Sequence, residues 1–286
     1  MTLEQKFPLR PDRRPPTARI GPRSGGPRLE LRELWSYRDL LLMLAVRDLK
    51  LRYRQTALGV TWVVLGPLLS AGIFTFVFSR VAKLQSEGIP YFLFAFSGTI
   101  AFGVFNNLVT RVSSSLTGNV PLVSKVYFHR LVLPLATALS TLVDFGVGAA
   151  LLAIVMVQDR SAPGLALLTL PLWLLLIVTI GLAAGLVAGA ATVRYRDVGV
   201  VAQLLVQMLL YVSPVAYSAS AVPRSAKLFF ELNPLVGALG GFRWALFGTR
   251  PLQAGPVAYS AVVGVVSMPL SLYLFRRIER VFADVI

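Results

Sequence analysis

One acid sits alone in a long uncharged stretch. Asp144 lies within the apolar run 131–157, which holds no other Asp, Glu, Lys or Arg between its first and last residues. An ionisable residue inside such a run is by default a functional candidate, either as a coupling acid or as partner to a buried cation. A single acid offers no proton relay, so pairing with an arginine or with Ser/Thr neighbours is the favoured reading. Much other chemistry is missing. The chain has no cysteine and one histidine, His129. Disulfides, Cys-rich zinc sites, haem-thiolate sites, thiol nucleophiles and a His-x-x-x-His zinc pair are excluded, and no metal site is expected. No lysine follows a glycine, so the Gly-x-x-x-x-Gly-Lys-Ser/Thr phosphate loop is absent and ATP is not bound in that manner.

Uncharged polar groups and aromatics are the remaining candidates. Gln203 and Gln207 are four residues apart and share one helix face. Asn106 and Asn107 close an apolar run. Aromatics recur at Trp62, Phe74, Phe102, Phe105, Tyr211, Tyr217, Phe242 and Trp244. Amides and aromatics lining a path suit a sugar chain, which presents hydroxyls and flat C–H faces. Aromatics near the ends of apolar runs more often form an interfacial belt.

The elements that must carry these residues follow from composition. The chain has 286 residues, 56% hydrophobic and 14% charged, against about 25% charged in soluble domains. Apolar runs at 55–79, 88–110, 131–157, 165–192, 198–223 and 251–275 predict six transmembrane helices in an all-α integral membrane protein. The net charge of +15 would indicate nucleic acid in a soluble protein. In so apolar a chain it reads as topology signal and attraction to anionic membrane lipids, and nucleic acid is not an expected partner. Of the 28 Lys and Arg residues, 13 precede the first span, which with an even number of spans predicts both termini in the cytoplasm. Residues 1–33 form a basic, Pro-rich tail, expected to be disordered, and 34–286 form the six-span transmembrane domain.

Three segments lie outside the spans. Residues 36–54 plot as an amphipathic interface helix. Leu42, Val46, Leu49 and Tyr53 form one stripe, Leu40, Leu44 and Leu51 a second, with Arg47, Lys50 and Arg54 between them. Asp48 and Arg52 are spaced to pair on its surface. Residues 111–130 form a cytoplasmic loop whose apolar Leu116, Val120, Leu122, Val123 and Val126 either dock on a partner or fold back on the bundle, as two short helices broken around Gly118, Asn119 and Pro121. In the outer segment 224–250, the apolar stretch 232–242 is too short to cross and reads as re-entrant or interfacial, either an outer gate or a stabilising cap. Arg243 and Trp244 suit the headgroup level.

Four stretches together resemble one family: RDLKLRYRQTALGVTWVVLGPL (47–68), LVSKVYFHRLVLPLA (122–136), VRYRDV (193–198) and ERVFADVI (279–286). They resemble the membrane permease subunits of polysaccharide and polyol-phosphate ABC exporters, which move O-antigen, capsule, teichoic acid or galactan. The family commonly has Pro where this chain has His129. The resemblance implies a homodimer with two copies of an ATPase subunit, which binds ATP and Mg, so no cofactor belongs to this chain. It implies that Arg47, Lys50, Arg52, Tyr53 and Arg54 form a gate or ATPase-facing helix. It also implies that 113–124, with Ser113, Ser114, Ser115, Leu116, Asn119 and Pro121, is the coupling loop, and that re-entrant helices follow span five. The implied substrate is a glycan on an isoprenoid diphosphate, its headgroup drawn to cationic residues at the cytoplasmic entrance. Trp62, Phe102, Phe105, Asn106, Gln203, Gln207, Tyr211 and Trp244 are candidates for its path.

The combined expectation is a channel-forming, non-enzymatic subunit in a bacterial inner membrane, exporting lipid-linked polysaccharide with energy from another subunit. The alternatives are an exporter of drugs or small lipids in the same family and a proton-coupled carrier using Asp144. A membrane-embedded glycan enzyme is disfavoured by the absence of an acid pair, a histidine base or a metal site.

Overall fold

The computed structural model describes residues 31–54, 61–125, 128–161, 163–248 and 251–279, and every regular element among them is helical. Residues 1–30 and 280–286 lie outside the described residues, and with them nearly all of the basic tail and most of the C-terminal motif. A short helix α1 (Leu31–Ser36) leads into α2 (Arg38–Arg54). The first span, α3 (Thr61–Phe74), carries Pro67 in its interior and continues as a π-helical stretch, Thr75–Val81. Then come α4 (Tyr91–Ser114), α5 (Val120–Lys125), α6 (Val132–Gln158), α7 (Leu170–Arg194) and α8 (Asp197–Val212). The chain closes with α9 (Lys227–Glu231), α10 (Leu235–Phe247) and α11 (Ala254–Glu279).

Five stretches are long and apolar enough to cross a bilayer: Val63–Val81, Tyr91–Ser114, Val132–Gln158, Leu165–Arg194 and Ala254–Glu279. The run expected as the fifth of six spans is shorter. Its helix α8 has 16 residues, about 24 Å, against a hydrocarbon core of about 30 Å. Ser213 then adopts an extended backbone, and Pro214 follows it. Helix α10, with 13 residues, is shorter still, as its length in sequence required.

The core is built around α4, which packs against α3, α6, α7, α8 and α10. Phe94, Ala95, Phe96, Ala101, Leu108 and Val112 on this helix are buried on every side. Its closest partner is α7, and the sequence shows why. Gly181, Gly185 and Gly189 recur every fourth residue and form a smooth stripe. A Cβ at Gly185 would stand 2.9 Å from the Leu108 carbonyl oxygen, and one at Gly189 3.1 Å from that of Val112. Helix α11 covers the other side of α7, and α2 lies along α6 with Leu44 and Ala45 buried. Where α11 ends, Arg276 donates to His129 Nε2 at 3.1 Å and Arg130 donates to the Glu279 carbonyl at 2.8 Å, tying the approach to α6 to the last described turn.

Large apolar side chains remain exposed where a soluble protein would bury them. Examples are Val200, Val201, Leu204, Leu205 and Met208 on α8 and Val262, Val265, Val266 and Leu270 on α11. Exposed faces of this kind are stable only against lipid or another protein surface.

Candidate functional site

Asp144 is the centre of the clearest polar constellation. Its carboxylate, 7% exposed, is paired with both Arg52 of α2 and Arg111 of α4. Arg111 Nη1 lies 2.6 Å from Oδ2, the same oxygen that Arg52 reaches, and the Tyr53 hydroxyl donates to Oδ1 at 2.6 Å. A buried carboxylate is costly unless paired and hydrogen-bonded, and here three donors from two other elements satisfy it. Helical spacing brings the group together. Thr99, Gly103, Asn107 and Arg111 follow one another every fourth residue along α4. On α6, Thr141, Asp144, Phe145 and Gly148 share one face. Burial, and then the Asp144 carboxylate it serves, push the Tyr53 phenol above its usual value, so it remains a donor at neutral pH.

These residues border a cavity of about 340 Å³ between α2, α3, α4 and α6. One end is charged, with Arg52, Arg111, Asp144, Tyr53 and Asn107. The other is apolar, with Val63, Pro67, Ile100, Val104 and Gly148. Two guanidinium groups and one carboxylate leave the charged end with one net positive charge. Such a space matches an amphiphile with an anionic head. Asp144 thus pairs with two half-buried arginines, one of the two pairings its solitary position favoured. The expected Asp48–Arg52 surface pair does not form. Asp48 instead binds Arg47 at 2.8 Å, because α2 turns Arg52 toward α6.

A second tie joins α2 to the loop after α4. Arg47 donates to Asn119 Oδ1 at 2.8 Å, and Asn119 Nδ2 donates to the Ser115 carbonyl at 2.8 Å. Lys50 and Arg54 are exposed beside this tie and project from α2. The loop itself is shorter than expected, because Ser113 and Ser114 complete the last turn of α4. It does break into a single 3-10 turn and α5. Its apolar residues fold back on the bundle: Leu116 is 0% exposed and Val123 is buried, as are Ser113 and Ser115. Ser114, Thr117, Gly118, Pro121, Ser124 and Lys125 form its exposed edge. Val126 lies outside the described residues.

The opposite end of the bundle is organised differently. Arg243 was expected at headgroup level but is 7% exposed. Its guanidinium lies 3.8 Å above the Phe94 ring and donates to the carbonyls of Pro214, Val215 and Phe94. Gly98 makes room for it, since a Cβ there would overlap the Arg243 side chain. The Tyr91 hydroxyl donates to the Ala216 carbonyl at 2.6 Å, Ser218 to Glu87, and Asn233 Nδ2 to Ser213 Oγ at 2.9 Å. The segment after α8 is therefore strapped to α4 and α10 at several points. Trp244, half-buried, borders a smaller cavity of about 100 Å³ with Glu87, Arg243 and Gln253.

The remaining path candidates divide. Gln203, Gln207 and Tyr211 are all exposed on α8, on a surface shared with Leu204 and Met208. Phe102 and Phe105 pack into the core, their rings 5.8 Å apart, and do not line an open path within this chain. Asn106 is half-buried, and its neighbour Asn107 is the one that borders the large cavity. The Trp62 side chain lies outside the described residues. Sequence reasoning missed Arg111. Its spacing from Asn107, Gly103 and Thr99 was the available signal, but an arginine at the end of an apolar run reads as a flanking charge.

Comparison with known proteins supplies what geometry does not. The chain is 28% identical over 256 residues to the O-antigen export system permease protein RfbA of Myxococcus xanthus, covering 89% of this chain and 98% of that protein. It is 24% identical over 254 residues to the O-antigen export system permease protein RfbA of Klebsiella pneumoniae, covering 87% and 95%. It is 23% identical over 241 residues to the polysialic acid transport protein KpsM of Escherichia coli, covering 82% and 92%. The model of the ABC-2 type transporter family matches residues 39–247, which take in both arginine ties of α2, the Asp144 cluster and the Arg243 straps, and the chain belongs to that family.

Proposed function

We propose that this chain is the membrane permease subunit of an ATP-driven exporter of lipid-linked polysaccharide. The observation that carries the reading is likeness over nearly the whole length of proteins named as O-antigen export permeases and as a polysialic acid transport protein. The large cavity supports it: a cationic end joined to an apolar end suits a phosphate-bearing headgroup on a long isoprenoid chain. In this reading α8 is a short sixth span. Both termini then face the cytoplasm, the side where the basic residues concentrate. Helix α2 lies in the cytoplasmic interface, and α9 and α10 re-enter the membrane at the outer mouth without crossing it. The protein works in a bacterial inner membrane as a homodimer with two ATPase subunits that bind ATP and Mg. The loop 113–124 and the exposed Lys50 and Arg54 meet those ATPases. The face of α8 carrying Gln203, Gln207 and Tyr211 turns toward the second copy and the glycan between them.

A proton-coupled mechanism loses its basis in this geometry. Asp144 is engaged by two arginines and a phenol, and among the described residues no further acid or histidine joins them as a relay would require. The test is depletion of the chain in its own cell. Surface glycan should fall and long lipid-linked glycan should accumulate inside. Unchanged pools of both would overturn the reading, and accumulation of a drug or small lipid instead would move the chain to another substrate class.

A further inference from the structure

The group around Asp144 is unbalanced in a way that a purely structural ion pair is not. Only the carboxylate is buried: the Arg52 and Arg111 side chains stay 26% and 30% exposed beside the cavity, so the excess positive charge faces an open space and not sealed protein. Here two arginines converge on one carboxylate, and both reach the single oxygen Oδ2. A guanidinium has five N–H donors and binds carboxylate or phosphate most strongly as a two-point fork. Among the described residues, each of these arginines gives one N–H to Asp144 and makes no fork. The carboxylate stands at the charged end of the 340 Å³ cavity, where an anionic headgroup would place its oxygens once its chain filled the apolar end.

We propose that Asp144 is an internal competitor for the transported headgroup. In the resting protein its carboxylate occupies Arg52 and Arg111. A phosphate-bearing lipid headgroup takes both arginines by forked contacts, and the return of Asp144 expels it. The inference rests on the export reading above and adds the device by which the site empties. A transport site must fill and release in each cycle, so affinity that is too high is as damaging as affinity that is too low. A carboxylate tethered beside the arginines competes at high effective concentration and shortens the residence of any ligand there. Asp144 acts through the arginines, as a positioning residue. Tyr53, donating to its other oxygen, holds it in place to compete.

The experiment uses the full chain with its ATPase subunit in neutral phosphatidylcholine nanodiscs and proteoliposomes. The probe is farnesyl diphosphate carrying one glucose. Asp144→Asn should bind the probe about tenfold more tightly, a shift easily resolved by titration. ATP-driven transport of the lipid-linked glycan should fall several-fold in the same variant. Tighter binding with slower transport is a split that structural damage does not produce, since a collapsed cavity lowers both. Tyr53→Phe should move both quantities the same way by a smaller factor, and it decides the matter if Asp144→Asn fails to fold. Equal or weaker probe binding in the variant measured overturns the proposal. So does absence of probe binding in the wild type; cellular glycan export, measured separately by depletion, still tests the export reading on its own.

Discussion

Two arginine sites mark the two ends of this bundle, and they solve the same problem in opposite ways. Arg243 is sealed in protein, stacked on Phe94 and held by three backbone carbonyls. Those acceptors are fixed by the backbone and cannot be exchanged, although Arg243 also borders the smaller cavity. Arg52 and Arg111 share one side-chain carboxylate at the edge of a cavity. That acceptor is on a side chain and can be exchanged. The contrast separates a pin, which holds the segment after α8 to α4 and α10, from a site that can trade partners. The segment after α8 is strapped at Ser213, Ala216 and Ser218 as well.

The largest effect should come from the pin. Arg243→Met strips a charged donor from three carbonyls and should cost on the order of 3 kcal/mol or more, at about 1.5–3 for each bond to a charged group. Loss of folded protein in detergent, read by a thermal melt on size-exclusion fractions, checks it. A stable Arg243→Met variant would break the comparison, because the outer site would then be no pin. Next comes Arg111→Ala. It leaves Asp144 with Arg52 and Tyr53, so the fold should survive with a modest drop in melting temperature. ATP-driven glycan transport should fall at least about tenfold, equivalent to roughly 1.4 kcal/mol of lost interaction. A variant that transports normally would show that the second arginine is structural after all.

Smaller effects are expected along α2. Arg47→Ala removes the bond to Asn119 and should cost about 0.5–1.5 kcal/mol, with weaker stimulation of the ATPase by substrate. Lys50→Ala, at an exposed position, should change stability by about 0.5 kcal/mol or less and affect only association with the ATPase. Equal effects at Arg47 and Lys50 would mean that the tie to the loop carries no coupling.

The sequence showed the type of each site better than its partners. Asp144 was visible because one acid in an apolar run must be explained, and its cost favoured pairing with an arginine or with Ser/Thr neighbours. Which arginine did so was hidden. Asp48 lies four residues before Arg52 and looked like its partner, and only the packing of α2 along α6 turns Arg52 away from it. Arg243 next to Trp244 looked like a headgroup anchor. Its burial depends on space left by Gly98 and on carbonyls presented at Pro214 and Val215, contacts far apart in sequence. The apolar loop residues were compatible with docking or folding back; Leu116 and Val123 are buried in the bundle, while Val120 and Leu122 are only half-buried. The six apolar runs were legible as runs, but α8 stops at 16 residues because the chain turns at Ser213 and Pro214; the run 198–223 carries no charge to mark that end, and Pro214 was the available signal.

The central claim is that this chain and an ATPase partner move lipid-linked glycan by way of the two arginines on Asp144. The most direct measurement is ATP-dependent appearance of labelled lipid-linked glycan on the far leaflet of proteoliposomes holding both subunits. The wild type should transport only with ATP and the ATPase present, and the Arg52→Gln, Arg111→Gln double variant, whose amides can still donate to Asp144, should not transport although it reconstitutes and binds the ATPase. Transport at the wild-type rate by that double variant would contradict the account.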